Sequence, residues 1–187
     1  EGRAFLAAGV GLGGLLLITT LLFGPSIWSS WWTGGVGDVA GRLADPENLP
    51  RLVSLYASLM LSGVPQGGAI MAQVGLAAFA VLGSAWLFHR TNDADLRTAA
   101  LALAGVMVSP LAYDYDLALT LLALLALLRR NQHQSLRMTE WGALVVVWLL
   151  PGLIYPEMAT TLRFNPVPLA VVGLFVCILR QGYEEKR

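Results

Sequence analysis

Two carboxylates and two phenols stand side by side in the turn Tyr113-Asp114-Tyr115-Asp116, which follows Ser109-Pro110 and separates two apolar runs. Ionisable groups at membrane depth are costly and by default indicate a functional site. A carboxylate there can act as a base, bind sugar hydroxyls or hold a divalent cation. A solvated turn in which Asp114 caps the following helix accounts for the same residues equally well. The residues alone leave these alternatives open.

Arg51 and Arg163 are the basic residues that could join this turn in a site, because they fall on the same predicted side of the membrane. A guanidinium binds phosphate through a rigid fork of hydrogen-bond donors. Ion pairs with Asp45, Glu47 or Glu157 are the alternative use, and the sequence slightly favours them.

No cofactor and no metal site is expected from the sequence. His89 and His133 both fall in polar loops, and no apolar run contains a histidine. There is therefore no cluster of metal ligands and no histidine placed to ligate a haem or a chlorophyll within a span. The single cysteine, Cys177, lies in an apolar run and is expected to be a small buried hydrophobe.

The elements that must position these residues are membrane helices. Of the 187 residues, 56% are hydrophobic and 13% are charged, whereas soluble domains carry about 25% charged residues. A bilayer core about 30 Å thick is crossed by roughly 20 apolar residues as a helix. Backbone groups find no water in lipid, so only helices and closed barrels can span it. The apolar runs show no period-two alternation, which predicts an all-α integral membrane protein.

About six spans are predicted within one transmembrane domain that covers residues 1–187. Two of the spans are short at 1.5 Å per residue, so the Tyr-Asp-Tyr-Asp turn between them is expected to lie in a cavity. The segment 24–67 is predicted to be an external loop that contains an amphipathic helix over Leu49–Ser62. That helix either lies in the membrane interface or packs on the spans. The predicted spans are 4–23, 68–88, 98–112, 117–128, 141–155 and 167–179.

The distribution of basic residues predicts the orientation. If the spans alternate, nine Lys and Arg residues fall on one side, and only Arg42, Arg51 and Arg163 fall on the other. Basic residues are enriched in cytoplasmic loops, so both termini are expected to be cytoplasmic and the Tyr-Asp-Tyr-Asp turn external. The expected partner is the lipid bilayer. The zero net charge gives no sign of a nucleic-acid partner.

Several short motifs occur in an order that resembles one family. They are Phe23-Gly24-Pro25-Ser26-Ile27-Trp28 at the end of an apolar span, the amphipathic segment Leu49–Gly63 followed by Val64-Pro65, the turn Asp95-Leu96-Arg97, and Ser109-Pro110 before Asp114. The chain resembles the C-terminal half of the bacterial membrane glycosyltransferases of family 87, which include mannosyltransferases that use polyprenol-phosphate-mannose.

The resemblance implies a GT-C fold with an active site that faces the outer side of a bacterial inner membrane. Such enzymes move a sugar, here mannose-like, from a polyprenyl phosphate to a lipid or glycan acceptor. The catalytic base of GT-C enzymes is an aspartate in the first outer loop, so we expect it in a missing N-terminal half and assign no catalytic residue here. Asp114 matches the aspartate of the family's Ser-Pro-x-x-aromatic-Asp motif. The candidate substrate-binding residues are Tyr113, Asp114, Tyr115, Asp116, Arg51 and Arg163.

The alternative function comes from a different class. A truncated, inactive relative of these enzymes would serve as a structural or accessory subunit, with its helices packed against the spans of a larger membrane complex. In the first case the chain is expected to work with a missing N-terminal half, and in the second case with other membrane subunits.

Overall fold

The computed structural model describes residues 2–131, 137–154 and 156–184, and these residues form nine α-helices and two short 3-10 turns. By Cα packing the chain divides into two compact units, Glu1–Ala44 and Asp45–Arg187. The 3-10 turns are Leu49–Arg51 and Asp114–Leu117. The helices are α1 Gly2–Phe23, α2 Ser26–Ala44, α3 Leu55–Leu61, α4 Gln66–Arg90, α5 Ala94–Val108, α6 Ala118–Asn131, α7 Met138–Leu153, α8 Pro156–Leu162 and α9 Val167–Glu184.

The first unit contains α1 and α2. The turn between them is made by Gly24, whose φ of 78° lies in the left-handed region, and Pro25 follows it. A left-handed glycine followed by proline is a common way for a helix to end. The indole Nε1 of Trp28 then donates a hydrogen bond to Thr20 Oγ1 at 2.8 Å, which ties the start of α2 to the end of α1.

The sequence predicted a single helix within the external loop 24–67, over Leu49–Ser62, but α2 fills the first part of this segment. Four glycines and several serines and threonines lower the helix propensity of this segment and interrupt its apolar pattern. Its large apolar side chains nevertheless share one helical face, because Trp28, Trp31, Trp32, Val39 and Leu43 follow one another at spacings of three, one, seven and four residues.

The second unit is built around five helices that alternate in direction. Helix α5 packs against α4, α6 and α9, and α7 packs against α9. Buried side chains from all five helices form one core, which includes Leu87, Leu103, Leu127, Leu144 and Phe175. The starts of α4, α6 and α9 and the ends of α5 and α7 therefore share one end of the bundle, which we call the cleft end. The opposite end is called the arginine end.

Three helices are long and apolar enough to cross a bilayer, namely α1, α4 and α9. This confirms the prediction of an all-α membrane protein. Helices α5, α6 and α7 contain 15, 14 and 16 residues and are shorter than a typical span. The predicted total of six spans and the single domain over 1–187 stay predictions.

The bounds of α5, α6 and α9 differ from those of the predicted spans. Helix α5 begins four residues before the predicted span, because the Asp93 carboxylate caps it by accepting from the amides of Asp95 and Leu96. It ends before Ser109, since Pro110 disfavours a helical conformation for the residue that precedes it. Helices α6 and α9 extend beyond their predicted ends to Asn131 and Glu184.

Two predictions in the connecting segments are wrong. The helix predicted over Leu49–Ser62 is interrupted, because only the 3-10 turn Leu49–Arg51 and helix α3 are helical. Ser54 is the N-cap of α3, and its hydroxyl accepts from Ala57 N at 3.2 Å, so the chain between the two elements is extended. The connection between the predicted spans 141–155 and 167–179, expected to be a loop, contains α8. Tyr56, Ala57 and Ser58 are buried in α3, which favours packing on the bundle over an interfacial position.

The arginine end is held by a buried ion pair. Arg130, of which 6% is exposed, contacts the Asp93 carboxylate at 2.7 Å and donates to Gln181 Oε1 at 2.8 Å. Partial burial alone would raise the pKa of Asp93, but hydrogen bonds from Arg130, Leu96 and Asp95 and the charge of Arg130 outweigh it. The pKa of Asp93 is therefore lowered. Lys186 and Arg187, which count among the nine basic residues of the predicted cytoplasmic side, and residues 132–136 lie outside the described residues.

Candidate functional site

Three chain segments meet at the cleft end of the bundle and build the candidate site. The extended residues Leu52 and Val53 run beside Ala112 and Tyr113 as a short antiparallel bridge. Val53 N donates to Ala112 O at 2.7 Å, which fixes the register of the two segments. Arg51 directly precedes one side of this bridge, and Asp114 directly follows the other. The bridge therefore brings together two residues that are far apart in the sequence.

The third segment is the approach to α9, and its central residue is Asn165. The side chain of Asn165 is buried, with 3% exposed. Its Nδ2 donates to Leu52 O at 3.3 Å, and its Oδ1 accepts from Val167 N at 3.0 Å. These partners, one an acceptor and one a donor, fix the orientation of the amide. Asn165 thus joins the Leu52–Val53 segment from the side opposite to the bridge.

A cleft of about 100 Å³ opens between these segments and the end of α7. Arg51 and Asp114 supply its charged groups, and Asn165 supplies a buried amide. The remaining wall is largely apolar and is formed by Pro50, Val53, Pro151, Ile154 and Val167. The cleft therefore combines one cation, one carboxylate and one amide with an apolar surface, which is the usual make-up of a small-molecule site.

The two carboxylates of the turn have different surroundings. Asp114 lines the cleft. Asp116 instead caps the turn, because its Oδ2 accepts from Tyr113 N at 2.9 Å. The sequence suggested a cap at Asp114, and the structure places the capping carboxylate two residues later. The Asp114 carboxylate does accept one local hydrogen bond, from Tyr115 N at 2.9 Å.

The two tyrosines of the turn stack on each other and are not among the residues that line the cleft. Their ring centroids are 5.3 Å apart and their planes differ by 9°. The side chain of Tyr115 is 69% exposed. A role of the two tyrosines in substrate binding therefore stays a prediction, since neither side chain lines the cleft.

The two candidate arginines, Arg51 and Arg163, also have different surroundings. Arg51 lines the cleft, and its guanidinium forms no ion pair with any carboxylate in the described part of the chain. The expected partner Asp45 accepts from Glu47 N and from Asn48 Nδ2 instead. Arg163 is exposed and has a positive φ of 50°, and its backbone oxygen accepts from Ser62 Oγ at 3.0 Å. The side chain of Glu157 lies outside the described residues.

Buried polar side chains that the sequence did not single out hold this end of the bundle. Gln73 of α4 accepts from Tyr56 N at 3.1 Å and donates to Met107 O at 2.9 Å, so it joins α3 to the end of α5. Ser58 donates to Asn165 O at 2.9 Å. Ser62 Oγ likewise donates to Arg163 O at 3.0 Å, so two serines four residues apart attach α3 to the segment before α9. Neither Gln73 nor Asn165 belongs to a recognisable motif. A single glutamine within an apolar span can nevertheless indicate a buried hydrogen bond between helices.

The arrangement can bind a ligand that has both an anionic and a hydroxylated part. The Arg51 guanidinium suits a phosphate, and the Asp114 carboxylate accepts hydrogen bonds from hydroxyl groups. Among the described residues, no three His, Cys, Asp or Glu side chains are grouped so that they could hold a metal ion.

A comparison with protein families found one match. The model of glycosyltransferase family 87 matches residues 1–110, which is more than half of the chain. The matched range includes Arg51 and ends at Pro110, four residues before Asp114. Searches of curated proteins and of solved structures found no match to the chain.

Proposed function

We propose, from the premise that the chain belongs to glycosyltransferase family 87, that its cleft holds the phosphate and the sugar of a polyprenyl-phosphate donor. Family membership makes the protein a membrane glycosyltransferase, and the all-α fold with apolar helices agrees with this. The donor class, a mannose-like sugar and a lipid or glycan acceptor are parts of the proposal.

The observation that carries the proposal is that Arg51 and Asp114 line the same cleft. A polyprenyl-phosphate sugar has one phosphodiester charge, several hydroxyls and an apolar chain. Arg51 offers a cation for the phosphate, and Asp114 offers an acceptor for the hydroxyls. Pro151, Ile154 and Val167 offer an apolar wall beside them for the first isoprene unit.

The two charged residues would assist transfer in different ways. As the bond between the sugar carbon and the phosphate oxygen breaks, negative charge grows on the phosphate, and Arg51 would stabilise it. Asp114 would hold the sugar by its hydroxyls, so that the reacting carbon stays oriented towards the acceptor. No described residue is assigned the role of the base that takes the acceptor proton.

The proposal includes an orientation in a bacterial inner membrane. Among the described basic residues of the second unit, Arg51 and Arg163 belong to the cleft end, and six others belong to the arginine end, namely Arg90, Arg97, Arg129, Arg130, Arg137 and Arg180. Cytoplasmic segments are enriched in Lys and Arg. The cleft end of the second unit is therefore proposed to face the outer side, where polyprenyl-phosphate donors would be used.

Binding of the donor lipid by the purified protein in nanodiscs tests the proposal. A radiolabelled short-chain polyprenyl phosphate should bind more tightly than the matching polyprenol without the phosphate. Arg51→Gln should weaken the binding of the phosphate by about tenfold, which is the effect of losing about 1.4 kcal/mol. The matched control Arg163→Gln should leave the Kd unchanged. Equal affinity for the two lipids would contradict the proposal and would favour the alternative of a structural subunit.

A further inference from the structure

We infer that Asn165 is the positioning residue that sets the separation of Arg51 and Asp114 across the cleft. This role deepens the proposed function of the cleft and rests on it. Asn165 holds the segment that carries Arg51 from one side, and the bridge to Ala112 and Tyr113 holds the same segment from the other side.

The hydrogen bonds form a continuous path across the site. Val167 N and Leu52 O both bond to the Asn165 side chain, at 3.0 and 3.3 Å. Val53 N, in the next residue after Leu52, bonds to Ala112 O at 2.7 Å. The segment around Leu52 is therefore the middle one of three, and its position depends on its bonds to both neighbours.

The hydrogen bonds from Asn165 and to Ala112 join the backbone of the middle segment to the two neighbouring segments. It lies between the three-residue 3-10 turn Leu49–Arg51 and α3, and it is extended over Leu52–Ser54. Leu52 is fully buried, so its carbonyl oxygen would lack a hydrogen-bond partner if Asn165 were removed. An unsatisfied buried carbonyl costs about 1–3 kcal/mol, which a shift of the segment would relieve. Because Arg51 directly precedes Leu52, that shift would move the guanidinium relative to Asp114.

Asn165 is also held by contacts outside Leu52–Ser54. Its backbone oxygen accepts from Ser58 Oγ at 2.9 Å, and the next helix starts two residues later at Val167. The bond from Ser58 therefore holds the backbone of Asn165 in addition to the side-chain bond to Leu52 O. It acts on Arg51 through the backbone, and for this reason we describe it as a positioning residue and not as a catalytic one.

Distances between two spin labels test the inference without any substrate. The labels replace exposed residues on the two sides, Glu47→Cys before Arg51 and Tyr115→Cys after Asp114, in a Cys177→Ser background. Asn165→Ala removes both side-chain bonds. Asn165→Asp keeps the size and the acceptor for Val167 N, but it places a carboxylate oxygen against Leu52 O. If Asn165→Ala does not fold, the isosteric Asn165→Asp variant still gives the measurement.

The matched control is Gln181→Ala, because Gln181 is a buried amide at the other end of α9, bonded to Arg130. We expect both Asn165 variants to broaden the distribution of label distances, while the control keeps the narrow distribution of the parent. An unchanged distribution in the Asn165 variants would overturn the inference. Equal broadening in Gln181→Ala would also overturn it, because the effect would then be a general loosening of the bundle.

Lipid binding by the same variants separates this inference from the proposed function. We expect the Kd for polyprenyl phosphate to rise about tenfold in the Asn165 variants, as for a loss of about 1.4 kcal/mol. Broadened distances with an unchanged Kd would support the positioning role and contradict the proposed function of the cleft. Unchanged distances with a raised Kd would contradict the positioning role and leave the proposed function in place.

Discussion

The Asp116 carboxylate accepts a hydrogen bond from the backbone amide of Tyr113 at 2.9 Å, and this bond closes the turn that carries Asp114 into the cleft. Two carboxylates of the same turn thus have separate tasks. Asp116 stabilises the backbone of the turn, and Asp114 lines the cleft.

The different surroundings of the two carboxylates predict that substitution of Asp114 affects activity and that substitution of Asp116 affects stability. Asp114→Asn should strongly reduce sugar transfer by membranes that contain the protein, because asparagine keeps the shape and loses the charge. Expression and thermal stability should stay normal. Asp116→Ala should lower the free energy of unfolding by about 0.5–2 kcal/mol, as for other lost caps. Equal transfer by the Asp114→Asn variant and the parent would remove Asp114 from the site.

The buried ion pair between Asp93 and Arg130 predicts a pH-dependent contribution to stability. The pKa of Asp93 is lowered in the folded protein, so its contribution is complete above the unfolded pKa near 3.8 and is lost as the pH falls through the folded pKa. Asp93→Asn should lower the free energy of unfolding by about 1.5–3 kcal/mol at pH 7. The difference from the parent should persist at pH 5 and narrow below the unfolded pKa.

An exposed pair is the control for this prediction. Arg42 contacts Asp38 at 2.7 Å, but both side chains are more than half exposed. Such pairs contribute about 0–1 kcal/mol, so Asp38→Asn should have little effect on thermal unfolding in detergent. A constant difference between Asp93→Asn and the parent down to pH 3 would show that the charge of Asp93 is not the source of its contribution.

Close packing of α4 on α9 predicts the effect of adding a methyl group. A Cβ at Gly83 would lie 2.9 Å from Phe175 Cε1 and 3.1 Å from Leu179 Cδ1, and the ring of Phe175 is fully buried. Gly83→Ala should therefore destabilise the protein by about 1–3 kcal/mol. Gly75→Ala, in the same helix, meets no atom within 4 Å and should be neutral or slightly stabilising. Equal unfolding temperatures for the two variants would contradict the packing described here.

The proposed orientation predicts the labelling of single cysteines in intact cells. In a Cys177→Ser background, Tyr115→Cys at the cleft end should react with a membrane-impermeant maleimide. Met138→Cys, which is 88% exposed near the arginine end, should react only after the cells are opened. Labelling of Met138→Cys and not of Tyr115→Cys from outside would reverse the orientation.

The sequence predicts the long apolar helices that a bilayer requires. It does not predict the helices and breaks that depend on local hydrogen bonds. The spans of α1, α4 and α9 follow from apolar runs, since a bilayer requires such runs of a helix. Helix α2 has a weaker pattern, because glycines interrupt it. The break in the predicted helix Leu49–Ser62 depends on the cap at Ser54, which a periodic pattern does not report.

The candidate site was only partly predictable for the same reason. Arg51 and Asp114 were recognised by residue type, but they share a cleft only through the bridge between Leu52 and Tyr113, which no local pattern indicates. Arg163 looked equivalent to Arg51 in the sequence, and the structure distinguishes the two. Asn165 was missed because a single asparagine before a proline is common in turns.

Photo-crosslinking tests the central claim most directly, because it reports where the donor lipid binds. A polyprenyl-phosphate analogue with a diazirine in the isoprene unit next to the phosphate would be irradiated with the purified protein, and the labelled peptides would be mapped. We expect labels within 50–53, 151–154 and 165–167, and unmodified polyprenyl phosphate should suppress them. Labels at the arginine end, around Asp93 and Arg130, or labels that do not respond to the competitor would contradict it.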